Sequence, residues 1–372
     1  MKKFVFYCPM DELREIHLKK DIFEIPRSFA SLGFHSTIIS GKFEVPVESE
    51  VTFIPTNNVH TNSIFSIIEL GKIVKINLRE NPDIFMFFHN NPYIPFVITL
   101  TNFFRKILSR MKKKTIWIIK SDWDGTKKIG GTEIGRQARN LFFSLNSFFV
   151  DFVTVETSCA FQIMRKYVDE NKIVLFPDSF SHQYIEKQTY DSTIREPFIL
   201  TVSRISREKG LHVLLSAFLN VREKFKDWEL HIVGPIWDKK YYEELVVYIN
   251  ENNLASRVKF TFSADEKFLK QEYSRASIFC LPSIHESFGI VRMEAAASGI
   301  PVITSSAGCG SDFKALGMSV FENGNIVELS GNLELFMSNE EMRRETARIQ
   351  FTRIKSFSDL TVEFIKKIDF EY

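Results

Sequence analysis

Cysteine is scarce in this chain: Cys8, Cys159, Cys280 and Cys309 stand far apart, with no Cys-x-x-Cys among them. That spacing suggests neither a zinc site nor a disulfide framework, and it fits a reducing cytoplasm. Long apolar runs are lacking too. Tyr93–Phe104 comes nearest, but it is too short to span a bilayer and is interrupted by Pro95. The opening Met-Lys-Lys-Phe-Val-Phe-Tyr-Cys-Pro has too few apolar residues for a signal peptide and reads as a first buried strand. An excess of one charge is also missing. With 48 Lys and Arg against 46 Asp and Glu, the net charge of +2 gives no global pull toward nucleic acid.

What is present is material for more than one core. At 372 residues, 44% of them hydrophobic, the chain exceeds the size at which single cores usually split, so two domains are expected. Its 37 phenylalanines read as core filling. Phe4–Cys8, Ser36–Ile39, Val51–Ile54, Ile84–Phe88, Thr115–Ile119, Phe152–Val155 and Ile173–Phe176 predict strands. Leu18–Leu32, ending at Gly33, and Ile64–Leu78 predict helices between them. The alternation argues for an α/β fold, a parallel sheet with helices on both faces. The pattern restarts near Phe198 after the polar stretch Ser181–Glu196. The expected division is a first domain over residues 1–180, a linker over 181–196, a second domain over 197–355 and a terminal segment over 356–372 with a helix at Asp359–Ile368.

Two segments of the second half carry chemistry. Phe198–Val202 reads as a buried strand, followed by Ser203-Arg204-Ile205-Ser206-Arg207-Glu208-Lys209-Gly210 and then Leu211, Leu214, Leu215, Phe218 and Val221 at helical spacing. A basic loop between a strand end and a helix start is where open α/β sheets hold ligands. Arg binds phosphate bidentately, and Lys acts as a compact point charge. Farther on, the strand-like Ser277–Leu281 leads to Glu286-Ser-Phe288-Gly289-Ile290-Val-Arg-Met-Glu294-Ala-Ala-Ala-Ser-Gly299-Ile-Pro301-Val-Ile, with seven residues between the two glutamates. Gly299 stops the helix and Pro301 opens another strand. The helix start offers unpaired amides and a positive dipole end, Gly289 allows close backbone approach, and the carboxylates can accept from hydroxyls. That set suits a ligand bearing both phosphate and sugar hydroxyls.

The run resembles the donor-site signature of retaining glycosyltransferase family 4, in which two glutamates stand seven residues apart. The resemblance implies the GT-B architecture, two Rossmann-like domains facing a cleft, with a final helix crossing back to the first domain. It implies a nucleotide-sugar co-substrate, UDP- or GDP-linked, with no cofactor and no metal. Arg204 and Lys209 match the pair that grips the donor diphosphate, while Arg207 matches no family role. Glu294 would hold the ribose and Glu286 the donor sugar. Ser203, Gly234 after Trp228–Val233, and Phe288, Gly289 and Ile290 complete the expected donor contacts. Arg204, Lys209 and the amides near Phe288–Ile290 would stabilise the departing phosphate. No residue stands out as a nucleophile, so retention by same-face attack is favoured over a covalent carboxylate intermediate. The loop after Val258–Phe262 matches the base-contacting region but lacks its usual glycine at Phe262-Ser263. Ser305-Ser-Ala-Gly-Cys-Gly-Ser-Asp312 stands where Gly-Gly-x-x-Glu is commoner.

The first half matches the family less well. Pro9-Met-Asp-Glu-Leu-Arg14 replaces a glycine-rich loop, leaving Lys19 or Lys20 to reach a phosphate. The strand Thr115–Ile119 is followed by Lys120-Ser-Asp122-Trp123-Asp124 rather than by a histidine, and His89 after Ile84–Phe88 is the candidate substitute. Asp122, Trp123 and Asp124 read as cleft lining that touches acceptor or donor sugar; an Asp-x-Asp can also hold a divalent cation. Thr99–Ile118 sets Phe103, Phe104, Ile107, Leu108 and Met111 among Arg105, Lys106, Arg110 and Lys112, Lys113 and Lys114, a pattern suited to an anionic membrane surface. The expectation is therefore a cytoplasmic bacterial enzyme, peripheral at the inner membrane face, passing sugar to a glycan or lipid-linked acceptor in surface polysaccharide synthesis. A GT-B-fold nucleotide-sugar epimerase and a non-catalytic basic-surface binder are the alternatives.

Overall fold

The computed structural model describes residues 1–10, 12–13, 21–43, 50–56, 67–91, 93–107, 114–121, 133–176 and 195–371. The chain divides into two compact units, Met1–Phe180 with Asp359–Tyr372, and Ser181–Ser358.

The first unit carries strands β1 (Lys3–Tyr7), β2 (Glu12–Leu13), β3 (His35–Ser40), β4 (Lys42–Phe43), β5 (Val51–Pro55), β6 (Ile84–Phe88), β7 (Ile116–Lys120), β8 (Phe152–Val155) and β9 (Ile173–Leu175). Its helices are α1 (Asp21–Ser31), α2 (Ile67–Glu80), α3 (Ile94–Ile107), α4 (Glu133–Ser147) and α5 (Ser158–Met164). Seven strands form one parallel sheet in the order β5-β3-β1-β6-β7-β8-β9, and β2 pairs with β4 separately. Alternate residues serve opposite faces, as the two-residue strand repeat requires. Tyr7, Phe85, Phe87, Trp117 and Ile119 meet α3 and α4 through Ile94, Val97 and Phe143. Phe4, Phe6, Met86, Phe88 and Ile118 meet α1 through Phe23, Ile25 and Phe29, with Phe4 and Phe29 stacked at 3.6 Å. Both faces being covered explains unbroken apolar runs such as Ile-Phe-Met-Phe-Phe in β6. The many phenylalanines fill these two layers.

The second unit repeats the plan with β10 (Glu196–Val202), β11 (Glu229–Val233), β12 (Val258–Thr261), β13 (Ala276–Leu281), β14 (Val302–Ser305) and β15 (Ser319–Phe321). Helices α6 (Leu211–Val221), α7 (Lys239–Glu251), α8 (Glu266–Arg275), α9 (Ile290–Ala297), α10 (Gly310–Ala315) and α11 (Ile326–Ser338) connect and cover them. The sheet is parallel in the order β12-β11-β10-β13-β14-β15. Counted along the chain among each sheet's own strands, the first runs 3-2-1-4-5-6-7 and the second 3-2-1-4-5-6, the doubly wound order in which ligands bind outside the carboxyl ends of the two strands where the order reverses. Those strands are β1 and β6 in the first unit, β10 and β13 in the second. Cys8, just past β1, and Cys280, on β13, are buried.

Two sequence expectations are corrected. The terminal helix is not confined to Asp359–Ile368: α12 runs unbroken over Glu340–Glu371, because no glycine or proline interrupts that stretch. Its end places Phe364, Ile365 and Ile368 in the α1 layer of the first unit. Thr99–Ile118 is not one surface segment. It ends as helix at Ile107, residues 108–113 lie outside the described residues, and Ile116–Lys120 is the buried strand β7. Arg105 points inward, donating to Thr115 Oγ1 at 2.6 Å and Asn77 Oδ1 at 3.1 Å.

His231 of β11 sits between Glu272 of α8, at 2.7 Å, and Glu229, at 3.0 Å. Burial works to lower its pKa, but the hydrogen bonds of the two carboxylates and the charge of Glu272 outweigh burial and raise it. A raised folded-state pKa contributes stability that is complete below the unfolded value of about 6.5 and is lost as pH rises through the folded one. The melting temperature of His231→Gln should therefore fall furthest below wild type near about pH 5.5 and approach it by about pH 9. A gap that stays constant with pH would refute the assignment.

Candidate functional site

The site of the second unit is built where β10 and β13 end. Past Val202, the Ser203 amide donates to Val233 O at 2.9 Å, and the Gly234 amide donates to Thr261 O at 2.8 Å. Gly234 has φ 145°, and a β-carbon there would lie 2.0 Å from Ser203 O. The loops after β10 and β11 thus pass with no room for a side chain. Beyond Ile205, the turn Arg207–Lys209 closes at Gly210, whose φ is 65°. A β-carbon on Gly210 would fall 2.1 Å from Pro282 O, in the loop after β13. Glu208 O accepts from the amides of Ile284 at 2.7 Å and His285 at 3.1 Å. Backbone contacts therefore stitch the basic loop to the glutamate loop.

The result is a contact between two motifs 77 residues apart: Lys209 Nζ lies 2.8 Å from Glu286 Oε2, with the side chains 14% and 12% exposed. Ser283 Oγ adds a hydrogen bond to the same oxygen at 3.3 Å. Burial acts to raise the Glu286 pKa, but the charges of Lys209 and Arg292 and the two hydrogen bonds outweigh it and hold the carboxyl below the ordinary range. A second loop buttresses the first. Ser305 Oγ donates to Ser283 O at 2.5 Å, and a β-carbon on Gly308 would lie 2.5 Å from Ser287 O. The Ser305–Asp312 segment, whose role the sequence leaves open, thus supports the Glu286 loop.

Helix α9 starts at Ile290 behind Gly289, which has φ 68° and no side-chain cap, so its first amides point out uncapped beside Glu286. Phe288 is buried and faces Phe313. Glu294, one turn in, is half-buried and accepts from Tyr273 Oη at 2.9 Å. Arg204 is half-exposed, 3.2 Å from Glu208 Oε1 and 4.8 Å over the Trp237 ring. Ser203 Oγ is buried with no hydrogen-bond partner among the described residues. Arg207 joins Glu244 and lies over Tyr241, outside this cluster. Ser283, Trp237, Tyr273 and Arg292 belong to the site without a signal strong enough to single them out. Trp237, three residues after the strand-end glycine, is the one whose position hinted at a role.

In the first unit, His89 sits at the end of β6, at the point where that sheet's order reverses. Its φ of 66° is a left-handed conformation unusual for a residue with a side chain, and its amide donates to Lys120 O at 2.9 Å. Lys120 is wholly buried, 2.8 Å from both Asp21 Oδ2 and Glu156 Oε1. Asp122, Trp123, Asp124, Lys19 and Lys20 lie outside the described residues. Among the described residues, no group of three or more His, Cys, Asp and Glu could hold a metal ion.

Residues 185–350 match the family model described as glycosyl transferases group 1. A 110-residue stretch is 33% identical to a D-inositol 3-phosphate glycosyltransferase of Corynebacterium diphtheriae, covering 29% of this chain and 26% of that protein. A 161-residue stretch is 25% identical to the capsular polysaccharide biosynthesis glycosyltransferase CapM of Staphylococcus aureus, covering 42% and 41%. The matched stretches span under half the length of these curated relatives. Similarity in fold reaches the whole chain. Sucrose-phosphate synthase from Thermosynechococcus elongatus superposes with a TM-score of 0.72 at 16% identity, over 98% of each chain. HepE of Anabaena, in complex with UDP and glucose, gives 0.71 at 14% identity over 100% of each. The class is thereby defined: the chain has the GT-B architecture of two Rossmann-like units. More particularly, it is the second unit that carries the match to glycosyl transferases group 1, over residues 185–350.

Because a β-carbon on Gly210 meets backbone, Gly210→Ala should destabilise the second unit by more than about 1 kcal/mol. Gly331, inside α11 with open space around it, is the control. Gly331→Ala should be neutral or stabilising by up to about 1 kcal/mol. Denaturant midpoints for the two variants check this, and equal behaviour would be inconsistent with the close approach.

Proposed function

We propose that this chain is a retaining glycosyltransferase that moves a sugar from a UDP- or GDP-linked donor to a glycan or lipid-linked acceptor, in bacterial surface polysaccharide synthesis. The observation that carries the reading is the 2.8 Å contact of Lys209 with Glu286. It unites the basic loop with the glutamate loop beside an uncapped helix start, where doubly wound sheets take their ligands. The glycosyltransferase names of the relatives and the UDP and glucose bound by a protein of the same fold support it.

In this reading Arg204, Lys209 and the amides of residues 288–290 meet the diphosphate, where negative charge grows as the anomeric bond breaks. Glu294 holds the ribose, and Glu286 holds hydroxyls of the donor sugar. Ser203, with its spare hydroxyl, and Gly234, with its bare backbone, line the nucleotide. The positive charge comes from side chains and helix end, so the reaction needs no metal. His89, Asp122, Trp123 and Asp124 are the acceptor-side candidates, the acceptor hydroxyl attacking on the face that the diphosphate leaves.

Arg204→Ala and Lys209→Ala should each lower donor turnover by about tenfold to a hundredfold, the range set by losing a charge-assisted hydrogen bond. Glu294→Gln should mainly weaken binding of the free nucleoside diphosphate, and Glu286→Gln should mainly lower turnover with that binding kept. Screening UDP and GDP for thermal stabilisation comes first. No shift with either would favour the basic-surface binder, and release of a free sugar isomer without acceptor would favour the epimerase. Activity should survive EDTA; loss restored by Mn²⁺ would bring Asp122 and Asp124 to the centre.

The lipid-linked acceptor carries a surface requirement. Phe103 and Phe104 of α3 are 55% and 40% exposed, and Leu141 and Leu145 of α4 and Phe148 just past it are 62%, 51% and 76% exposed. Both helices cover the same sheet face, and Lys106 and Lys114 are exposed beside them. Apolar side chains flanked by lysine suit the interface of an anionic bilayer. No helix among the described residues is long and apolar enough to cross a membrane. The protein should co-sediment with phosphatidylglycerol vesicles at low salt, and Phe103→Ser with Phe148→Ser should weaken this. Absence of binding would remove the membrane from the proposal.

A further inference from the structure

Arg292 is the largest wholly buried side chain among the described residues, and it lies in the first turn of α9. Its Nη1 donates to Thr304 Oγ1 of β14 at 3.0 Å, and its guanidinium lies 3.7 Å over the Phe313 ring. Nε and Nη2 are buried with no hydrogen-bond partner among the described residues. Their position is informative. A β-carbon on Gly289 would fall 2.7 Å from Nη2 and 2.8 Å from Nε, so these two donors fill the space beneath the turn that opens α9. An arginine kept for structure alone would use its fork. Leaving two donors of a buried cation unmet is costly.

We propose that Arg292 is a positioning residue for the donor site: its guanidinium is the buried counter-charge that holds the Gly289 turn and the Glu286 carboxylate in the arrangement that receives a sugar nucleotide. The inference rests on the function proposed above and deepens it. Glu286 is in contact with Lys209 from the turn before α6 and Ser283 from its own loop, and the charge of Arg292 on α9 acts with that of Lys209 to lower its pKa. Lys209 is the cation that a diphosphate would compete for. Arg292 lies out of reach behind the turn, so its attraction for Glu286 persists when Lys209 is engaged. Burial pulls the Arg292 pKa down to about 10, against the opposing pull of Glu286, so it stays charged at neutral pH. Its charge also lies directly behind the uncapped amides of α9 and reinforces the positive end of that helix.

The test uses the full-length protein labelled with ¹³C at glutamate carboxyls, the Glu286 signal being assigned by its loss in Glu286→Gln. In wild type the signal should titrate below the ordinary glutamate value of about 4.3. In Arg292→Gln its midpoint should rise by about one pH unit or more, and UDP affinity by calorimetry should fall about tenfold. Arg292→Lys restores the charge but not the planar fork over Phe313, so it should keep the wild-type midpoint and hold UDP affinity within about threefold. A purely structural role predicts the reverse, with Arg292→Lys failing as Arg292→Gln does. An unmoved midpoint in a folded Arg292→Gln would overturn the inference. Should Arg292→Gln not fold, a Lys variant with a shifted midpoint would overturn it and one with a kept midpoint would support it. If wild type binds GDP rather than UDP, the affinities are read with GDP; if it binds neither, the donor reading fails by itself, and the titration still decides the role of Arg292.

Discussion

Backbone contact, rather than side-chain attraction, is the constraint on which the second unit's site depends. The carbonyl of Pro282 occupies the place of a side chain at Gly210, and the carbonyl of Glu208 takes two amides of the opposite loop. With both loops fixed by groups that have no rotamers, the Lys209 and Glu286 side chains meet in a narrow range of geometries. Such preorganisation is worth more than the ion pair itself, because a half-buried pair gains little once desolvation is subtracted. Gly234 and Gly308 act the same way at the two neighbouring loops.

The charges are layered. Arg204 stands outermost over Trp237, Lys209 is nearly buried, and Arg292 lies wholly inside. Glu286 is the anion among them. A polyanion arriving at the surface would first meet the solvated cation, then the nearly buried one, against a field fixed by the third. This ordering follows from depth alone, since effective dielectric falls from surface to interior.

Much of the fold could be read from residue order. Ile84–Phe88 and Phe152–Val155 match the expected strands to the residue, because strands buried on both faces are rich in apolar and β-branched residues. Glu286, Gly289 and Gly299 were legible as loop, helix opening and helix stop, since each has a conformational reason to stand there. Other features were not. Arg105 read as part of a basic surface run and Lys120 carried no reading, yet both are interior, their partners brought from other elements. Arg292 between valine and methionine carries no local mark; only the sheet behind α9 decides that its side chain turns inward. The extent of α12 was missed because Ser356 and Ser358 resemble a boundary, although neither forbids a helix.

The strand order has a consequence for how the molecule comes into being. In each sheet the central pair joins strands far apart in the chain, Phe4 with Ile84 and Glu196 with Ala276. Closing loops of that length is slow, and parallel pairing cannot begin until the second strand exists. A chain emerging from the ribosome therefore holds the Lys209 loop for many seconds, at about 5–20 residues per second, before Glu286 is synthesised at all. During that interval β10 presents an unpaired apolar edge, and the nascent second unit depends on what shields it.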